Sequence, residues 1–233
     1  MARINKKNRN YQFNLEDQYR QLRANIEFSQ IDSDLKIINI TSTQPDEGKS
    51  SVSKELAKIY AAKYEKVLLI DCDLHKRSLH KMLNVSNAQG LTNLLTHYDP
   101  SVPLDSYEEI QAINLPEDKQ LGFLSAGVKI PNPTEAINSK RFANLIEEAK
   151  KQYNIVIIDC PPIMAASDAI PISNLADGTL FVYSAKETNK YEARDATQIL
   201  RRNRANLIGI VMTKVPSYQT RHYYYDYNRD EKD

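Results

Sequence analysis

Cysteine is scarce here: two in 233 residues, Cys72 and Cys160, each inside an apolar run. Two thiols cannot build a disulfide scaffold and their separation fits no metal-ligand spacing, so a reducing cytosol is the compartment that suits them. An excess of charge is missing too. The 31 basic and 30 acidic side chains leave a formal net charge of +1, so no global field calls for nucleic acid or an acidic substrate. Nowhere do about 18 apolar residues run together, which excludes a transmembrane helix. The basic opening MARINKKNRN is followed by YQFNLEDQYR where a secretory signal needs an apolar stretch, so export by that route is not expected. Any membrane address must then be borrowed from a partner.

What is present is enough apolar sequence, 41%, to bury the core of one large α/β domain. Leu15, Tyr19, Leu22 and Ile26 recur at helical spacing, which predicts an amphipathic helix over residues 14–29. LKIINITS and KVLLIDCD read as buried strands flanking a helix that begins near Gly48, a βαβ unit over residues 35–73. GLTNLLTHY is expected to be a short helix, residues 99–120 a loop, and LGFLSAG a strand. SKRFANLIEEAKKQY then reads as a helix, NIVIIDCPP and DGTLFVYSA as strands, residues 188–204 as a helix, and NLIGIVMTKV as the last strand. Short apolar runs without alternation, interleaved with helices, predict a doubly wound, mostly parallel sheet covered on both faces. No internal repeat is visible. Residues 1–13 form a basic arm, residues 14–215 the domain, and residues 216–233 a polar tail with no aliphatic residue to dock it, for which disorder is expected.

Between the first strand and its helix stands TSTQPDEGKSS, residues 41–51. Gly48, Lys49 and Ser50 supply the end of a phosphate-binding loop, in which backbone amides at a helix N-terminus, a lysine and a hydroxyl meet phosphates and Mg²⁺. Thr43 stands where that pattern opens with glycine, so the motif is incomplete, and a chance GKS triplet is the bland alternative. Asp71 and Asp73 close one predicted strand and Asp159 another, at the carboxyl ends where open α/β sheets bind ligands. If the strand persists to Asp73, Asp71 and Asp73 point the same way and together could hold Mg²⁺, one of them accepting a proton. A helix cap or turn residue is the competing reading for any one of them.

These stretches, with GLTNLL, SAGVKIPNPTEAI and DQYRQLRANIEF, resemble the bacterial tyrosine autokinases of capsular and exopolysaccharide biosynthesis, in their split Gram-positive form. That resemblance implies a P-loop kinase fold related to the partitioning and division-site ATPases, with ATP and Mg²⁺ as cofactors. It makes Thr43, Gln44, Glu47, Gly48, Lys49, Ser50, Ser51 and Thr213 the nucleotide-contacting set, with Ser50, Asp73 and Asp159 around the metal and Asp71 as general base. Asp17, Arg20 and Arg23 fall on a self-association motif, within a ring-like homo-oligomer. Five of the 14 tyrosines, Tyr218, Tyr223, Tyr224, Tyr225 and Tyr227, crowd into the last 18 residues, and the resemblance makes them the phosphate acceptors. It further implies a transmembrane activator that recruits the cytoplasmic chain to the inner face of the membrane, a cognate tyrosine phosphatase, and no nucleic acid. Four positions depart from the family's habit: Asp46 replaces glycine, His75 arginine, Ser51 threonine and Thr213 asparagine. The rival readings are a partitioning-type ATPase, whose signature lysine is here Gln44, and a nucleotide-binding scaffold weakened at Asp46 and His75.

Overall fold

The computed structural model describes residues 14–29 and 34–216; the basic arm and all five tail tyrosines lie outside the described residues. The elements run α1 (Leu15–Ser29), β1 (Ile37–Ser42), α2 (Lys49–Ala61), β2 (Val67–Asp71), α3 (Leu79–Leu83), α4 (Leu91–His97), β3 (Ile110–Asn114), β4 (Gln120–Leu124), α5 (Pro133–Ile137), α6 (Lys140–Gln152), β5 (Ile155–Asp159), α7 (Ala169–Leu175), β6 (Gly178–Ser184), α8 (Lys190–Arg202) and β7 (Leu207–Thr213). The strands form one sheet in the order β3-β4-β2-β5-β1-β6-β7. Every pairing is parallel except β3 with β4.

The absence of alternation in the central strands follows from burial on both faces. Leu68 and Ile70 of β2 and Val156 and Ile158 of β5 point into one layer with Phe142, Leu145, Ile146 and Ala149 of α6 and Ala196 and Leu200 of α8. Leu69 and Ile157 point the other way, into a layer with Val52, Leu56 and Tyr60 of α2 and Ile26 of α1. The α6 residues recur at i, i+3, i+4 and i+7, the stripe a helix needs to cover a sheet. Helix starts are marked chemically: the Ser139 hydroxyl accepts the Phe142 amide at 3.1 Å, and the Asn189 side-chain Oδ1 accepts the Tyr191 amide at 2.9 Å.

Two expectations are corrected. Residues 99–120 are not all loop: β3 pairs with β4 as a hairpin whose turn carries Glu117 and Asp118 at positive φ. β3 is a half-exposed edge strand, IQAIN, and its Pro-Glu-Asp turn lacks the glycine or asparagine that usually marks such a hairpin. The second concerns β2, which ends at Asp71, so strand alternation does not carry to Asp73. A turn joins the two carboxylates instead, the Asp73 amide donating to Asp71 Oδ1 at 3.2 Å. The short helices α3, α5 and α7 also went unpredicted, since one or two turns leave too little sequence for a period.

Candidate nucleotide site

β1 lies between β5 and β6, so the loop leaving its carboxyl end opens at the middle of the sheet. Gly48, with φ 98°, turns that loop into α2. The left-handed conformation suits glycine, and a Cβ there would stand 3.2 Å from Thr213 Cγ2. Thr213, at the end of β7, donates its hydroxyl to the Glu47 carbonyl, tying the last strand to the loop. The Glu47 carboxylate in turn accepts the amides of Thr43 at 2.8 Å and Gln44 at 3.1 Å and the hydroxyl of Thr188. The Gln44 side chain donates to Glu192 at 3.2 Å. Thr43, Gln44, Glu47 and Thr213 thus spend these groups inside the protein, holding the loop's shape.

Lys49, the first residue of α2, is buried, and its Nζ lies 2.7 Å from Asp73 Oδ2, 3.7 Å from Asp159 Oδ2 and 3.3 Å from Ser50 Oγ. Asp71 and Asp159 are register partners on adjacent strands, both fully buried. Ser53, one helical turn beyond Lys49, places its hydroxyl 3.0 Å from Asp159 Oδ1. Three carboxylates and one ammonium therefore share a buried cluster. Burial pushes the Asp71 carboxyl well above the usual range, and Asp159 adds to this while Lys49 opposes it. Burial raises Asp159 as well, against Lys49 and its hydroxyl partners. For Lys49, burial alone would lower the pKa, but Asp159, Asp73 and Asp71 outweigh it and hold the ammonium charged.

The residues present fit Mg²⁺ bound with its phosphates. Asp73 Oδ2 and Asp159 Oδ2 are buried oxygens that face Lys49, at 2.7 and 3.7 Å, and the Ser50 hydroxyl stands beside the same ammonium. Among the described residues no three acidic, histidine or cysteine side chains form a closed cage. Magnesium does not need one, since it keeps waters and leans on one or two carboxylates plus substrate phosphates. Ser51 faces outward on the first turn of α2.

The two departures in charge each have a partner. Asp46 adopts φ 67° and is clasped by Lys76. His75 Nε2 lies 2.7 Å from Asp168 Oδ2, and Asp168 is fully buried with its Oδ1 unpartnered. Sequence reasoning missed Asp168, which sits in MAASDAIPIS with the look of an ordinary helix cap, and it missed Ser53, whose spacing of four from Lys49 was a usable signal. On α1, Asp17 and Arg20 are exposed, Arg20 pairs with Glu16 at 2.5 Å, and the half-buried Arg23 has its Nε without a hydrogen-bond partner. Glu27 ties that helix to the turn that follows α2 through Lys63, at 2.9 Å.

A glycine-turned loop, a buried lysine and strand-end aspartates at the centre of a doubly wound sheet define a P-loop nucleotide-binding domain. The AAA domain family profile matches residues 35–175. Tyrosine-protein kinase YwqD of Bacillus subtilis is 39% identical over 84% of this chain and 79% of its own, and CapB of Staphylococcus aureus, of the same kinase designation, 32% identical over 93% and 91%. Among solved structures, the chimerical protein CapA2B2 superposes with a TM-score of 0.76 at 34% identity, over 86% of this chain and 85% of that one. The chain belongs to the AAA-domain proteins and, within them, to the bacterial tyrosine-protein kinases of the Gram-positive type. Likeness to the septum site-determining protein MinD of Pyrococcus horikoshii, TM-score 0.59 at 18% identity over 76% and 69% of the two chains, extends to the fold alone.

Proposed function

We propose that this chain transfers the γ-phosphoryl group of ATP to its own carboxy-terminal tyrosines, Tyr218, Tyr223, Tyr224, Tyr225 and Tyr227, in trans within a homo-oligomer. The observation that carries the reading is the charged Lys49 set among Asp71, Asp73 and Asp159, directly beneath the loop to which β7 is tied. β7 ends at that loop, so the tail departs from the side of the site. From Val215 to Tyr225 an extended chain reaches about 33 Å, enough to enter a neighbour.

A phenol with a pKa of about 10 needs a base as it attacks. Asp71 supplies it: one oxygen is held by the Asp73 amide, the other is free, and burial with Asp159 strengthens its hold on a proton. The phenolic oxygen bonds to the γ-phosphorus, the bond to the β–γ bridging oxygen breaks, ADP leaves, and the phenolic proton ends on Asp71. Lys49 and the Gly48 amide would hold the phosphates, and for this Lys49 would exchange one aspartate for a phosphate oxygen. Ser50, Asp73 and Asp159 would hold Mg²⁺, which supplies neutralisation of the charge developing on the phosphates.

Residues 14–215 act as the kinase domain and residues 216–233 as its substrate. Asp17, Arg20 and Arg23 serve self-association. Among the described residues no helix is long and apolar enough to cross a membrane, so a transmembrane activator of the polysaccharide export system brings the chain to the cytoplasmic face, and a cognate phosphatase resets it. The tail holds Arg221, Arg229 and Lys232 against Asp226, Asp230, Glu231 and Asp233, a net of −1. Five phosphates would add roughly 7 to 10 negative charges, and the modified tails then leave the acidic sites and dissolve the assembly, regulating capsule synthesis and export. Intact mass after incubation with Mg·ATP and a peptide from the activator tests the chemistry. Steps of one phosphate that vanish in Lys49→Met support it, and ADP release without a mass change refutes it.

A further inference from the structure

The turn after β2 is tied to the phosphate loop twice. Asp73 grips Lys49 from inside, and three residues on Lys76 reaches back to Asp46, its Nζ 2.6 and 2.7 Å from the two carboxylate oxygens. Lys76 rises from a fixed base, because its own amide donates to Asp73 Oδ1 at 2.8 Å. Asp46 stands two residues before Gly48, on a left-handed turn that glycine would also accept and that aspartate tolerates better than most. A bare carboxylate at that place would repel a polyphosphate. Here it is not bare, since both of its oxygens are engaged by one ammonium.

We propose that Lys76 sets the phosphate affinity of this site by neutralising Asp46, so that a loop with an acid at its crest still admits a nucleotide polyphosphate. This rests on the nucleotide reading given above. The hydrogen bond from Lys76 also holds the Asp46 carboxyl below its usual range, with Lys214 and Lys49 as weaker cations nearby. Lys76 is a positioning residue: it acts through Asp46, and its charge matters only while that carboxylate is present.

A double-mutant cycle on the full chain decides this, with affinity for a fluorescent ADP analogue in Mg²⁺ as the readout. Lys76→Met is expected to weaken binding about three- to tenfold at low salt and less at high salt, because the uncovered repulsion is screened. Asp46→Asn alone should change it less than about twofold, and adding Asp46→Asn to Lys76→Met should restore the original affinity to within about twofold. Lys76→Arg keeps the charge and should bind like the unsubstituted chain. Equal weakening by Lys76→Met with aspartate or asparagine at position 46 overturns the inference, as does no weakening at all. If the unsubstituted chain takes up no nucleotide, the underlying reading fails and this inference falls with it.

Discussion

Two ion pairs join the same two segments, and they live in opposite environments. Lys49 and Asp73 leave 7% and 2% of their side chains exposed, whereas Lys76 and Asp46 leave 57% and 72%. The inner pair has been taken out of water, so each charge depends on the other, and breaking it strands a buried carboxylate. The outer pair is solvated, and pairs of that kind contribute little to folding. One pair therefore shapes the protein, and the other changes what the protein will bind.

Breaking the inner pair should have the largest effect. Lys49→Met leaves Asp73 and Asp159 buried without a counter-ion; it should cost about 3 kcal/mol of stability and abolish phosphotransfer, read by denaturant unfolding and intact mass. A variant that keeps full stability would show that the carboxylates find protons at no cost. Next comes the hinge from which Lys49 springs. Gly48→Ala forces a side chain into φ 98° and against Thr213, for an expected loss of about 1–2 kcal/mol; an unchanged melting temperature would show that the loop relaxes.

A smaller effect, of opposite sign, is expected at His75. One imidazole nitrogen meets only one oxygen of the buried Asp168, leaving Oδ1 unpartnered. A guanidinium can donate to both. His75→Arg should therefore raise the melting temperature by about 2–4 °C, and a fall would mean that the longer side chain does not reach. Smallest of all is the outer pair's share of stability, expected within about 0.5 kcal/mol for Lys76→Met. Its mark is a titration: Asp46 is depressed by Lys76, so the pair's contribution is present above the unfolded carboxylate pKa and is lost as pH falls through the lower folded value. Following the Asp46 carboxyl by NMR should show it titrating higher in Lys76→Met.

How much of this was legible in the sequence tracks burial. Gly48-Lys49-Ser50, Asp71, Asp73 and Asp159 stood out because strand, turn and helix signals surround them, and central strands buried on both faces leave unbroken apolar runs. β3 did not stand out, because an edge strand half open to water has no need of such a run. Partnerships across the fold were invisible for a different reason. Glu47 with Thr188, His75 with Asp168 and Lys76 with Asp46 are 141, 93 and 30 residues apart, and nothing local encodes which loops the sheet order brings face to face. The departures at positions 46 and 75, which in the sequence point to a weakened site, acquire a physical account only when Lys76 and Asp168 are seen beside them.

The most direct measurement mixes two full-length chains. One carries Lys49→Met and its tail tyrosines; the other keeps Lys49 and has Tyr218, Tyr223, Tyr224, Tyr225 and Tyr227 changed to phenylalanine. With Mg·ATP and the activator peptide, phosphate should appear on the Lys49→Met chain, in steps of one and on tail tyrosines. A Lys49→Met chain that stays unmodified while the unsubstituted protein becomes phosphorylated would contradict transfer between copies, and a wholly unmodified unsubstituted protein would contradict the kinase itself.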